Sequence, residues 1–101
     1  MGAFQKAAKK QDVEVGQGVV CEIDGKSIAL FNVAGDYYAI NNLCPHRGGP
    51  LGEGELDGCL VTCPWHAWQF DVKAGCNADN PEEKIVKYNV KVEGDDVLVE
   101  I

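Results

Sequence analysis

"LCPHRGGPLGEGELDGCLVTCPWHAW", residues 43–68, is the stretch on which the fold and the chemistry both turn. Both histidines of the 101-residue sequence fall inside it, each a short step after a cysteine. His46 follows Cys44 across one residue and His66 follows Cys63 across two, with sixteen residues between the pairs. Thiolate and imidazole donors together suit zinc or an iron-sulfur centre. Structural zinc takes ligand pairs separated by roughly two to four residues, because the chain must curl far enough for both donors to reach one ion. Cys63 and His66 meet that condition, whereas Cys44 and His46 reach two different atoms more comfortably than one. A binuclear cluster removes the conflict if one iron takes both cysteines and the other both histidines. Zinc on the same four residues, and a four-cysteine cluster drawn from Cys44, Cys59, Cys63 and Cys76, are the competing readings. Those four cysteines, with fourteen, three and twelve residues between them, match neither ferredoxin pattern as a set.

Working outward, the flanking sequence reads as short strands joined by tight turns. "VVCEI" (19–23) meets "SIALFNV" (27–33) across Asp24-Gly25, a pair suited to a type I′ hairpin turn. A turn at Gly35-Asp36 leads into "YYAIN" (37–41), and "QFDV" (69–72) ends at Lys73-Ala74-Gly75. "KIVKYNVKV" (84–92) alternates as one strand, turns through Glu93 to Asp96, and forms a hairpin with "VLVEI" (97–101) that buries one face. A helical turn or two is expected only near Phe4 to Lys10. Between Asn41 and Gln69 lie five glycines and three prolines, with strands "GEL" and "CLVTC" around Asp57-Gly58. Two loops project from that hairpin, one with Cys44 and His46, the other with Cys63 and His66. The expected fold is all-β, a small antiparallel sandwich or barrel in one domain, 1–101.

The composition, 46% apolar and 25% charged, is that of a globular protein with no apolar run long enough to span a bilayer. A formal charge of −7, from 16 acidic and 9 basic residues, repels a phosphate backbone and excludes nucleic acid as a partner. An acidic surface steers a basic protein partner or simply keeps the chain in solution. "MGAFQKAAKKQD" leads into no apolar segment and Lys6 breaks the myristoylation pattern, so the expected location is cytoplasmic. Five cysteines, an odd number, argue for metal or reduced thiols over a disulfide framework. Cys21, Cys59 and Cys76 are then expected as small buried hydrophobes.

"CPHRGGPLGEGELDGCLVTCPWHAWQFDVKAG" resembles the Rieske family, whose pattern is C-x-H, a spacer of about fifteen to seventeen residues, then C-x-x-H. The resemblance extends over residues 12–101, to the stand-alone Rieske-type ferredoxins. It implies one 2Fe-2S cluster held by Cys44, His46, Cys63 and His66. It also implies an all-β base with a small cluster-binding subdomain of two projecting loops, here about 42–70. In the family the histidines bind through Nδ1 and leave Nε2 at the protein tip, where electrons leave. With neutral imidazoles the ferric ions, sulfides and two thiolates sum to zero charge, whereas four thiolates leave two negative charges, so the His-ligated centre accepts an electron at higher potential. Reduction raises the proton affinity of the free ring nitrogens.

Respiratory-chain relatives carry a further cysteine in each loop, forming a disulfide, where this sequence has Gly49 and Trp65. Their serine and tyrosine, whose hydroxyls bond cluster or ligand sulfur, correspond here to Trp68 and Phe70. Without those donors the potential is expected at the low end of the family range. Pro64, Trp65, Trp68 and Phe70 are the expected surroundings of the cluster, and Arg47 the expected docking contact. The resemblance implies a carrier between a flavin or NAD(P)H-dependent reductase and a terminal oxygenase, not an enzyme on its own. Both histidines are committed and none remains for a mononuclear iron triad. The alternative it implies is the Rieske-like small subunit of a nitrite reductase, docked on a large subunit.

Overall fold

The computed structural model describes residues 3–43, 49–64 and 68–100. Within them the chain forms eleven strands: β1 (Phe4–Lys9), β2 (Gly18–Ile23), β3 (Lys26–Val33), β4 (Asp36–Asn41), β5 (Glu55–Asp57), β6 (Leu60–Thr62), β7 (Gln69–Asp71), β8 (Cys76–Asn77), β9 (Lys87–Tyr88), β10 (Val90–Glu93) and β11 (Asp96–Glu100). Short 3-10 turns occupy Lys10–Asp12 and Leu51–Glu53. The strands form three antiparallel sheets, ordered β1-β11-β10, β2-β3-β4-β9 and β5-β6-β7-β8. No described helix is long and apolar enough to cross a membrane.

The middle sheet explains the continuous apolar run of β3. Side chains alternate along a strand. Ala29 and Phe31 therefore enter one core, with Ile40, Leu51, Val61, Cys63, Phe70, Val72 and Ile85, while Ile28 and Leu30 enter a second, with Val13, Cys21, Ala39, Val97 and Val99. Both faces are covered, by the β5–β8 sheet on one side and the terminal sheet on the other. A half-buried strand would have alternated apolar with polar.

Several expectations shift in detail. Asp24 and Gly25 both take positive φ, 51° and 78°, as a type I′ turn requires. The next turn falls on Ala34 and Gly35, φ 53° and 96°, with Asp36 already paired to Val33 in β4. The β5–β6 turn likewise sits one residue later, on Gly58-Cys59, because Asp57 pairs with Leu60. Phe4–Lys9 is a strand, not a helical turn, since its backbone pairs with β11 from Phe4↔Glu100 to Lys9↔Asp96. The single strand expected over 84–92 divides: β9 pairs with β4, β10 with β11. β10 also leaves Val92 exposed, so the hairpin it makes buries β11 more than itself.

Candidate metal centre

Of the four expected ligands, Cys63 lies among the described residues; Cys44, His46 and His66 lie outside them, as do Arg47 and Trp65. The described residues nonetheless fix both loop bases. The second loop is the β6–β7 connection. Its register, Val61↔Phe70 and Thr62↔Gln69, is extended by Cys63 N–H donating to the Trp68 carbonyl at 2.7 Å. By alternation Cys63, Val61, Trp68 and Phe70 share one side of this hairpin. That side is the first core, in which Cys63 is 1% exposed, Phe70 is fully buried and Trp68 packs at the margin. Pro64, next along the loop, is exposed.

The first loop is bracketed by an isolated Leu43↔Pro50 bridge, with Leu51 N–H donating to the Asn42 carbonyl at 2.7 Å. Leu51 enters the same core as Cys63. From there the Leu51–Glu53 turn runs to Gly54, which lies so close to Thr62 that a Cβ on it would strike the Thr62 carbonyl oxygen. The base of one loop is thus pressed against the residue that opens the other. Gly49, at the position of the missing disulfide, is buried.

Cys63 fits the donor role chemically: a free thiol removed from water beside apolar side chains suits soft thiolate ligation of iron and sulfide. An open groove of about 550 Å³, lined by Gly16–Val20 and Gly52–Leu56, contains none of the expected ligands.

Of the other described cysteines, one meets the expectation of burial and two depart from it. Cys21 is buried and burial pushes its thiol up, but Cys59 and Cys76 are only half-buried, because one lies in the β5–β6 turn and the other on the edge strand β8. A maleimide at neutral pH is expected to label Cys59 and Cys76 in the folded protein and Cys21 only after unfolding. Equal labelling rates at all three, read by peptide mass spectrometry, would contradict this burial pattern.

The family model described as Rieske [2Fe-2S] domain matches residues 3–95. The ferredoxin component of the naphthalene 1,2-dioxygenase/salicylate 5-hydroxylase systems of Ralstonia sp. is 38% identical over 94% of this chain and 92% of its own. The ferredoxin of carbazole 1,9a-dioxygenase from Nocardioides aromaticivorans IC177 superposes with a TM-score of 0.88 at 27% identity, covering 96% of each chain. A solved structure described as an NADH-dependent nitrite reductase small subunit, from Mycobacterium tuberculosis, superposes at 0.90 with 23% identity over 100% of this chain and 96% of its own, a likeness of fold. With a loop pair founded on a buried cysteine and a family model spanning nearly the whole sequence, the chain belongs to the Rieske [2Fe-2S] domain family.

Proposed function

We propose that this chain is a one-electron carrier that holds one Rieske 2Fe-2S cluster through Cys44, His46, Cys63 and His66. It passes electrons from a flavin or NAD(P)H-dependent reductase to a terminal oxygenase. The observation that carries the reading is the end-to-end match to a dioxygenase ferredoxin component, 94% of this chain against 92% of the relative. The alternative, a small subunit of a nitrite reductase, has a likeness of fold behind it and no more. Residues 42–70 are proposed as the cluster-binding subdomain, with β8 completing its sheet. The cytoplasm is the proposed compartment, supported by Cys21, Cys59 and Cys76 standing as free thiols.

When bound, the cluster supplies reversible one-electron chemistry. The chain's contribution is to hold and shield it. Leu51, Val61 and Phe70 close the protein side of Cys63 to water, and the Cys63–Trp68 backbone bond fixes the hairpin that presents it. Trp68 and Phe70, on the Cys63 side of β7, offer no hydroxyl to a sulfur, and burial there favours the less charged state.

The purified protein is expected to be red-brown, with two irons and two acid-labile sulfides per chain and a midpoint at neutral pH of about −150 mV. Equimolar zinc without labile sulfide would overturn the reading. A midpoint above zero would remove the argument from Trp68 and Phe70.

A further inference from the structure

Three asparagines are buried among the described residues: Asn32, Asn42 and Asn77. A buried amide persists where its donors and acceptor are used. Asn77 accepts the N–H groups of Asp79 and Asn80 in its own turn, and Asn32 accepts that of Gly35 while donating to the carbonyl of Val13 in the second core, so Asn32 ties the β3–β4 turn to that core and neither side chain bonds to a ligand-loop base. Asn42 does something different. Its Nδ2 donates to Ser27 Oγ at 3.0 Å and its backbone N–H to the Ser27 carbonyl at 3.0 Å, both on β3 of the middle sheet. Its Oδ1 accepts the Gly52 N–H at 2.7 Å and its carbonyl the Leu51 N–H at 2.7 Å, both beyond the far end of the first loop.

One residue, 4% exposed, therefore joins three points: the base sheet, the start of the loop and its return. The return has no freedom to adjust. A Cβ on Gly52 would lie 2.7 Å from Val20 Cγ2, 3.0 Å from the Val19 carbonyl oxygen and 3.1 Å from Asn42 Oδ1. The amide matches its place because it offers an acceptor to one side and a donor to the other, which no aliphatic residue of the same size does.

We propose that Asn42 is the positioning residue of the first ligand loop, fixing through Ser27 and Gly52 where that loop holds its cluster ligands relative to Cys63. The proposal rests on the reading that Cys44 and His46 are ligands. Without the amide, the Gly52 N–H and the Ser27 hydroxyl lose their partner, the loop's ends are left with the backbone bonds to Ser27 and from Leu51 and the Leu43↔Pro50 bridge, and the ligand geometry relaxes.

The test uses the holoprotein with Asn42→Ala, Ser27→Ala and the double variant, and Asn32→Ala as a buried amide removed from the turn between β3 and β4. Reduced EPR spectra and the rate of iron release to a chelator are read beside Tm. Asn42→Ala is expected to shift or broaden the EPR signal and to release iron about tenfold faster, in line with other residues that orient metal ligands from behind. Ser27→Ala should move both readouts in the same direction by less, and the double variant should fall short of the sum, as coupled partners do. Asn32→Ala should lower Tm and leave the spectrum alone. If Asn42→Ala does not assemble, Ser27→Ala alone carries the test. A wild-type signal left unchanged in shape and iron retention by Asn42→Ala or, where that variant fails, by Ser27→Ala would overturn the proposal. A wild-type protein with no Rieske signal would instead overturn the reading beneath it, and the proposal with it.

Discussion

Cys63→Ser is expected to yield a colourless protein that retains its fold and holds almost no iron or labile sulfide. The thiol is 1% exposed and lies in the core with Leu51, Val61 and Phe70, so a replacement donor would have to ionise in the same dry surroundings. A hydroxyl is far less acidic than a thiol and a harder donor, and a buried one without a partner costs about 1–3 kcal/mol. The Cys63–Trp68 bond is made by the backbone and survives the substitution, so the β6–β7 hairpin stays paired. The metal's contribution to folding disappears with the ligand, and the melting temperature falls toward that of the metal-free chain. Iron, sulfide and visible absorption measure the effect, with Cys59→Ser as the matched control that keeps the cluster. Wild-type iron in Cys63→Ser would remove Cys63 from the ligand set.

The second large effect is expected at Gly54. Its φ of −76° is open to any residue, so the demand for glycine is purely steric. An added methyl would strike the Thr62 carbonyl oxygen and meet the Leu51 carbonyl oxygen at 3.1 Å, both backbone atoms that no rotamer change can move. Gly54→Ala must push β5 off β6 next to Cys63, at about 3 kcal/mol, the upper part of the usual range for overpacking. In a domain this size that lowers Tm by about 12–24 °C. Gly58→Ala is the comparison: its φ of 63° is strained for alanine but the space around it is open, so a loss of about 1 kcal/mol follows. Gly58→Ala melting below Gly54→Ala would contradict the close approach.

What could be read from the sequence depended on whether the signal was local. The Asp24-Gly25 hairpin was legible because both residue types tolerate positive φ, and the family because metal donors impose a recognisable spacing. The turn at Ala34-Gly35 was misplaced by one residue, since alanine at positive φ leaves no compositional trace and Asp36 resembles a turn residue. Phe4–Lys9 is rich in alanine, lysine and glutamine, good helix formers, and its pairing with β11, at the other end of the sequence, overrides them. The division of 84–92 between two sheets was invisible for a related reason: alternation reports a strand but not its neighbour. At the candidate site, the spacing to His66 singled out Cys63, and the structure adds that its thiol is buried. The roles of Asn42 and Gly54 were not, because hydrogen bonds to Ser27 and Gly52 and contact with Thr62 exist only once distant segments meet.

The pairing of β1 with β11 also bears on how this protein can be joined to others. Phe4 stands opposite Glu100 in adjacent strands, so the two ends of the domain lie within a few ångströms of the same sheet edge. A flexible connection of a few residues could close them, and a circular permutant opened at the Gly94-Asp95 turn would keep every other ladder intact. Both attachment points belong to the sheet whose Val97 and Val99 pack on the middle sheet, and the middle sheet stands between it and the core that holds Cys63. An electrode tether, an affinity handle or a fused reductase can therefore be exchanged between the two ends without moving its anchor to the redox half of the molecule.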